Sequence, residues 1–275
     1  MSRHTSFRIG GPAALMALPE SCLQAVAAVR AAAELGIEPF FLGNGSNLLV
    51  CDGPLDRFII KTTGLRRCRV REDALAADGG LTLARIALTA RQSGLSGLEF
   101  AHGIPGTLGG AVTMNAGAYG GEMAQVVRRV TLMNADGTVE ETERFDFGYR
   151  KSAFSDGKRM ILGAELALTP DDPAAIAARM EELAAKRKEK QPLEYPSAGS
   201  MFKRPEGYFA AALIDQCGLK GFSVGGAQVS EKHAGFVINR GGATCADVLA
   251  LVEEVRRRVK SATGVELEME VKVLR

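Results

Sequence analysis

Two stretches of this sequence offer backbone, rather than side chains, as chemistry. The first is Gly43-Asn44-Gly45-Ser46-Asn47. The second is Gly103-Ile104-Pro105-Gly106-Thr107-Leu108-Gly109-Gly110-Ala111, followed at once by Val112-Thr113-Met114-Asn115-Ala116-Gly117-Ala118-Tyr119-Gly120. Glycine lets the chain take φ > 0 and turn its N–H groups toward an anion. A flexible linker would carry Ser and charge between its glycines. Here the intervening residues of the second run are Ile, Pro, Leu, Ala, Val and Met, which belong inside a fold. The chemistry indicated by the second run is a backbone-lined phosphate or pyrophosphate site; the first loop is either an ordinary tight turn or, paired with the second, a cover for the same pyrophosphate from its other side. The first loop begins like a dinucleotide fingerprint but fails it, because Leu48 stands at the third glycine position and Leu-Leu-Val follows instead of a helix.

Other residues carry chemistry with local alternatives beside it. Tyr149-Arg150-Lys151-Ser152 offers an arginine that could clamp a carboxylate in a bidentate way, or simply form a surface ion pair. In Ser197-Ala198-Gly199-Ser200-Met201-Phe202-Lys203-Arg204-Pro205 a hydroxyl stands near two cations, an acid or anion site on one reading and a capped turn on the other. Glu266, Glu268 and Glu270 alternate with apolar residues near the C-terminus, and plain solvent exposure would explain them equally. Gly221-Phe222-Ser223-Val224-Gly225 matches a nucleophile elbow, but a helical segment precedes it and Gly225-Gly226-Ala227 follows. The three histidines, His4, His102 and His233, offer that serine no partner, so a hydrolase is set aside. No Walker A pattern, HExxH or EF-hand loop occurs.

The elements that must position these residues follow from periodicity and caps. Ala13 to Leu18 reads as a strand, and Pro19-Glu20-Ser21 opens a helix through Leu35 with Gly36 as its stop. Phe40 to Leu42, Phe58 to Ile60 and Cys68 to Arg71 read as strands, and Leu83 to Gln92 as a helix. Val126 to Met133 and Thr138 to Phe145 flank Asn134-Ala135-Asp136-Gly137, a hairpin signal, and Arg159 to Leu168 reads as a strand. Asp171-Asp172-Pro173 opens a helix to about Lys190, and Gln191 to Pro196 reads as an extended connector. A helix from Phe209 to Cys217 precedes strands at Gln228-Val229 and Gly235 to Ile238. Thr244 caps a helix from Cys245 to Ala262. Val265 to Val273 alternates strictly and predicts one terminal strand.

Composition bounds the classes. The 275 residues are 46% hydrophobic and 24% charged, with net charge +2, which fits a globular protein with a sizeable core. That charge gives no field for nucleic acid or membrane, and the absence of Trp weakens base stacking. Five scattered cysteines without a CxxC fit reduced thiols in the cytoplasm, and no metal site is expected. The polar N-terminus has no signal core and no segment reads as a membrane span.

Taken in order, six motifs resemble the MurB family, the UDP-N-acetylenolpyruvoylglucosamine reductases of peptidoglycan synthesis. They are His4-Thr5-Ser6-Phe7-Arg8-Ile9-Gly10-Gly11-Pro12, Leu42 to Asn47, Gly103-Ile104-Pro105-Gly106 through Gly120, Tyr149 to Ser152, Gly199 to Pro205, and Glu270-Val271-Lys272. The resemblance covers nearly the whole chain. It implies an α+β protein with an FAD-binding fold of the vanillyl-alcohol-oxidase (PCMH) type. Residues 1–62 and 63–170 would be FAD-binding subdomains and 171–275 a substrate-binding domain. FAD would be held non-covalently by Gly43, Asn44, Gly45, Ser46, Asn47, Gly103, Ile104, Pro105, Gly106, Thr107, Gly109, Gly110, Ala111, Asn115 and Gly117. NADPH would reduce the flavin, and hydride would pass to C3 of the enolpyruvyl group of UDP-N-acetylglucosamine enolpyruvate. Arg150 and Glu270 would meet the substrate carboxylate and Ser200 would protonate C2. Glu270 donates only when protonated, so a raised pKa is expected in a closed site. Tyr119, Lys203 and Arg204 would bind substrate, with Arg204 standing where many relatives have Asn. The chain begins at the His-Thr-Ser-Phe motif without the leading helix of many relatives. It also shows no tyrosine-bearing insertion before residue 190, like the type II branch. A cytoplasmic monomer is expected.

Overall fold

Ser21 accepts a hydrogen bond from the Gln24 N–H, and helix α1 (Cys22–Glu34) starts there. Gly36, at φ +66°, lies just beyond its end. The computed structural model describes all residues from Met1 to Arg275. Helix α1 links β1 (Ala13–Ala17) to β2 (Phe40–Leu42), and these strands flank β4 (Leu55–Lys61) in the order β1-β4-β2. Ala25 and Val29 of α1 pack with Ile60, Leu65, Met133, Met160 and Leu162.

An antiparallel sheet of five strands follows, in the order β11-β10-β12-β6-β5. Its strands are β5 (Cys68–Arg71), β6 (Ala74–Asp78), β10 (Val127–Met133), β11 (Val139–Thr142) and β12 (Met160–Ala167). The β10–β11 hairpin turns where Asp136 Oδ1 accepts from the Thr138 N–H and Gly137 takes φ +79°. Two small pairs complete this part, β7 (Leu95–Ser96) with β13 (Thr169–Pro170), and β8 (Gly117–Ala118) with β9 (Gly121–Glu122). Helix α2 (Leu83–Gln92) is capped by Thr82, and a short helix, α3 (Leu108–Thr113), lies inside the glycine run. Ile86, Leu108, Val112, Leu132, Phe154 and Leu166 share the core of this part. Helix α4 (Pro173–Lys190) closes it.

The chain divides by contact into two units, Ala14–Asn44 with Arg57–Lys186, and Met1–Ala13 with Gly45–Asp56 and Arg187–Arg275. This division does not follow the linear boundaries at 62 and 170. The reason is pairing at long range within the second unit. There β3 (Leu48–Val50) lies parallel to β18 (Lys272–Leu274), Ser6 Oγ donates to the Ser197 carbonyl, and Asn239 Nδ2 donates to the Phe7 carbonyl.

The second unit holds an antiparallel sheet of β14 (Ser197–Ser200), β15 (Ser223–Val224), β16 (Ala227–Val229) and β17 (Phe236–Asn239), ordered β14-β17-β16-β15. Helices α5 (Ala210–Gln216) and α6 (Cys245–Thr263) accompany it. Thr244 and Asp247 form a reciprocal capping box at the start of α6. Asp52 adds a second cap, accepting from the Cys245 and Ala246 N–H groups at 2.7 and 3.1 Å.

Two expectations need correction, and one pattern set aside from its flanks is explained. The alternating stretch 265–273 is not one strand. Only Lys272–Leu274 pairs as β18, with an isolated bridge of Met269 to Phe202 before it, because successive residues bond to different segments. The 221–225 pattern, set aside as an elbow because of its flanking segments, is part of a hairpin. Ser223 begins the tight β15–β16 hairpin and donates to the Gly221 carbonyl. Residues 191–196 turn, with the Tyr195 N–H bonded to the Pro192 carbonyl, where an extended connector was expected.

Candidate active site

In the first unit the two glycine segments meet through Gly43 and Asn44. Asn44 Nδ2 donates to the Pro105 carbonyl at 2.6 Å. A Cβ on Gly43 would lie 2.4 Å from Thr107 Oγ1, so no other residue fits there without displacement. Thr107 stands at the N-cap position of α3 yet makes no capping bond, and its buried hydroxyl has no hydrogen-bond partner. A buried hydroxyl left unpaired costs free energy until something bonds to it. Beside two glycine-rich turns, that orphaned group fits a polar, phosphate-bearing ligand such as FAD.

The glycines of the run do different work. The Gly109 N–H bonds to the Gly79 carbonyl at 2.8 Å, and a Cβ there would crowd Gly79 and Ile161 oxygens at 3.1 and 3.3 Å. Gly109 therefore packs α3 against the sheet. The Ile104 N–H likewise bonds to the Ala101 carbonyl. Gly103, Gly106, Gly110 and Ala111 lie on the same run, which continues into Asn115 and the β8 residue Gly117. Asn115 is 2% exposed and its carboxamide bridges the Gly148 carbonyl and the Ala124 N–H. Tyr119 stays 45% exposed at φ +55°. Arg150, at φ +54°, directs its guanidinium to the Gly117 carbonyl at 3.4 Å and lies 5.5 Å from the Tyr149 ring.

In the second unit the segment carrying Ser200, Lys203 and Arg204 is bonded through its backbone to the segment carrying Glu268 and Glu270. Between Ser197 and Ser200 the β14–β17 register slips by one residue, with Gly199 at φ +80°. Such a bulge re-aims the side chain that follows it. The next residue, Met201, accepts from the Glu270 N–H at 2.9 Å, and the Lys203 N–H donates to the Glu268 carbonyl at 2.8 Å. Asn47 joins this ladder, its Nδ2 donating to the Glu270 carbonyl and its own carbonyl accepting from Lys272. Ser46 precedes it, and Gly45 takes φ +62° where a Cβ would lie 2.5 Å from the His4 carbonyl. Lys203 Nζ is ion-paired with the Glu268 carboxylate. The Arg204 guanidinium lies 3.9 Å above the Phe209 ring, a cation–π contact.

Sequence reasoning missed Glu268, the ion-pair partner of Lys203. Glu268 was seen only as one of three alternating carboxylates.

A family profile described as "FAD binding domain" matches residues 13–143, and one described as "UDP-N-acetylenolpyruvoylglucosamine reductase, C-terminal domain" matches 191–274. With the unpaired Thr107 hydroxyl and the glycine turns, these define a flavoprotein oxidoreductase with an FAD-binding domain. Among curated proteins, UDP-N-acetylenolpyruvoylglucosamine reductases of Clostridium novyi and Clostridium tetani are 47% and 45% identical over this whole chain and 90% of theirs. The crystal structure of the Thermus caldophilus enzyme matches with a TM-score of 0.86 at 36% identity, covering 100% of this chain and 97% of that one. The chain belongs to the UDP-N-acetylenolpyruvoylglucosamine reductase family.

Proposed function

We propose that the chain reduces UDP-N-acetylglucosamine enolpyruvate to UDP-N-acetylmuramate for peptidoglycan precursor synthesis, with NADPH as the electron source. The observation that supports the residue assignment is the backbone ladder joining the segments that carry Ser200 and Glu270, through the Met201 carbonyl and the Glu270 N–H. When bound, FAD supplies two-electron hydride transfer between NADPH and the substrate. Gly43, Asn44 and Thr107 would hold it, with the rest of the two glycine segments.

The chain's own residues manage charge and proton. Hydride arriving at C3 leaves an electron pair at C2, delocalised into the adjoining carboxylate. Arg150 pairs with that carboxylate, and Glu270 in its protonated form donates to it. Positioned donors of this kind are worth roughly 10²–10³ in rate. The Ser200 O–H gives its proton to C2, completing the saturated lactyl ether. Lys203 exchanges Glu268 for the diphosphate, while Arg204 and Tyr119 bind the rest of the nucleotide sugar. Residues 1–62 and 63–170 serve the flavin and 171–275 the substrate, and the enzyme works as a cytoplasmic monomer. No helix is long and apolar enough to cross a membrane.

The test is a pair of anaerobic half-reactions on the FAD-loaded protein. NADPH should bleach the flavin, and UDP-N-acetylglucosamine enolpyruvate should restore its absorbance. Ser200→Ala should slow the second step by roughly 10²–10⁴, the usual worth of a general acid, and leave the first within a few-fold. Bleaching without any reoxidation by this substrate would refute the assigned reaction.

A further inference from the structure

Arg150 sits in a turn closed by reciprocal bonds between Gly148 and Lys151, the Gly148 N–H to the Lys151 carbonyl at 3.0 Å and the reverse at 3.2 Å. Its backbone is left-handed, at φ +54°, a conformation a side-chain-bearing residue keeps only when its surroundings impose it. Two buried polar side chains supply that constraint. On one side of the turn, Asn115 Nδ2 donates to the Gly148 carbonyl at 3.1 Å, while Asn115 Oδ1 accepts from the Ala124 N–H at 2.9 Å. On the other side, Ser152 Oγ donates to the Thr113 carbonyl at 2.7 Å and accepts from the Phe154 N–H at 3.1 Å. Ser155 Oγ reinforces it, donating to the same Thr113 carbonyl and accepting from the Ser152 N–H. Asn115 is 2% exposed and Ser152 3%. Thr113 and Asn115 lie at the C-terminal end of α3 and just beyond it, so both ties run to the end of the helix whose other end begins at Thr107.

We propose that Ser152 and Asn115 are positioning residues for Arg150, fixing its turn to the end of α3 so that the guanidinium is held in place before substrate arrives. This gives Asn115 a role in addition to its place in the FAD-binding segment. The inference rests on the reading of Arg150 as the carboxylate ligand.

The test is a double-mutant cycle on the FAD-loaded enzyme, read as kcat/KM for UDP-N-acetylglucosamine enolpyruvate, with amide hydrogen exchange over 148–151 alongside. Ser152→Ala and Asn115→Gly should each lower kcat/KM about 10-fold or more, and Asn115→Gly keeps the positive φ accessible. Ser152→Thr should recover most of the loss. In an Arg150→Ala background neither substitution should cost anything further, because the group they position is gone. The Gly148 and Lys151 amides should exchange faster in both variants, and Ser152→Ala should leave flavin content unchanged. Full additivity with Arg150→Ala, or unchanged exchange at 148–151, overturns the positioning role while leaving the carboxylate reading intact. An Arg150→Ala enzyme as active as the parent overturns the carboxylate reading and this proposal with it.

Discussion

Thr107 shows how one atom can report a ligand. Its hydroxyl is buried and unpaired, and Gly43 stands where any Cβ would press on it. Replacing it with Val removes a buried unsatisfied group, so the flavin-free protein should be as stable as before or more so. FAD affinity should fall by about 10-fold or more, since a hydrogen bond to a charged group is worth roughly 1.5–3 kcal/mol. Equilibrium denaturation of the apoprotein and flavin titration check the two halves separately. Backbone strain points to the same neighbourhood. Of the non-glycine residues with positive φ, Asn115, Tyr119 and Arg150 all belong to the candidate site. Each such residue costs on the order of 1–3 kcal/mol, and the cost persists where surrounding structure enforces it.

At the scale of elements, helix starts are the most consequential local features. Helix α6 buries Val248, Leu251, Val252, Val255 and Val259 in the core of its unit. Its first N–H groups are satisfied by the Thr244–Asp247 box and by Asp52. Asp52→Ala should lower the unfolding free energy by about 1–2 kcal/mol, the usual worth of a cap, as read from urea melts. The caps of α1, α2 and α6 are local in sequence, so Ser21, Thr82 and Thr244 mark helix starts in the structure. Strand β6, Ala74–Asp78, escaped notice because an alanine-rich segment carries no strand propensity and is drawn in by its neighbours β5 and β12. The terminal alternation misled for a related reason. Period-two patterning reports alternate burial, and a chain that bonds first to Met201 and then to Asn47 and β3 can alternate without forming one continuous ladder.

At the scale of the molecule, each unit is held by ties between distant segments. In the first, Glu99 accepts from Arg179 at 2.8 and 3.0 Å, from the Gly97 N–H and from the Ser96 hydroxyl. Burial by itself raises the Glu99 pKa, but these donors outweigh it and hold the carboxyl below its ordinary value. A carboxyl depressed on folding stabilises above its unfolded pKa, and that stabilisation is lost as pH falls through the folded value. Glu99→Gln should therefore lower the melting temperature most near neutral pH, and the difference should shrink in acid below the ordinary carboxylate range. In the second unit, β18 is the one strand paired with β3. Deleting residues 271–275 removes that pairing together with the buried side chains of Val271 and Leu274. A melting scan of the truncated chain should show loss of cooperative unfolding in the C-terminal unit.

The residue types needed for the chemistry, and most helices, are written in the sequence itself. Glycine density, Arg150 in its four-residue motif, Ser200 near Lys203, and the caps of α1, α2 and α6 depend on neighbours within a few positions, and local sterics and hydrogen bonds decide them. Tertiary structure alone decides what those residues touch. It pairs Lys203 with Glu268, lays Arg204 on Phe209, groups Met1–Ala13 with the C-terminal residues, and makes Asn115 a tie for the Gly148 carbonyl. In most of these the partner lies tens to hundreds of residues away. A hydrogen bond or ion pair is fixed by distance and direction in space, and no local pattern of residue types specifies which remote group will arrive there.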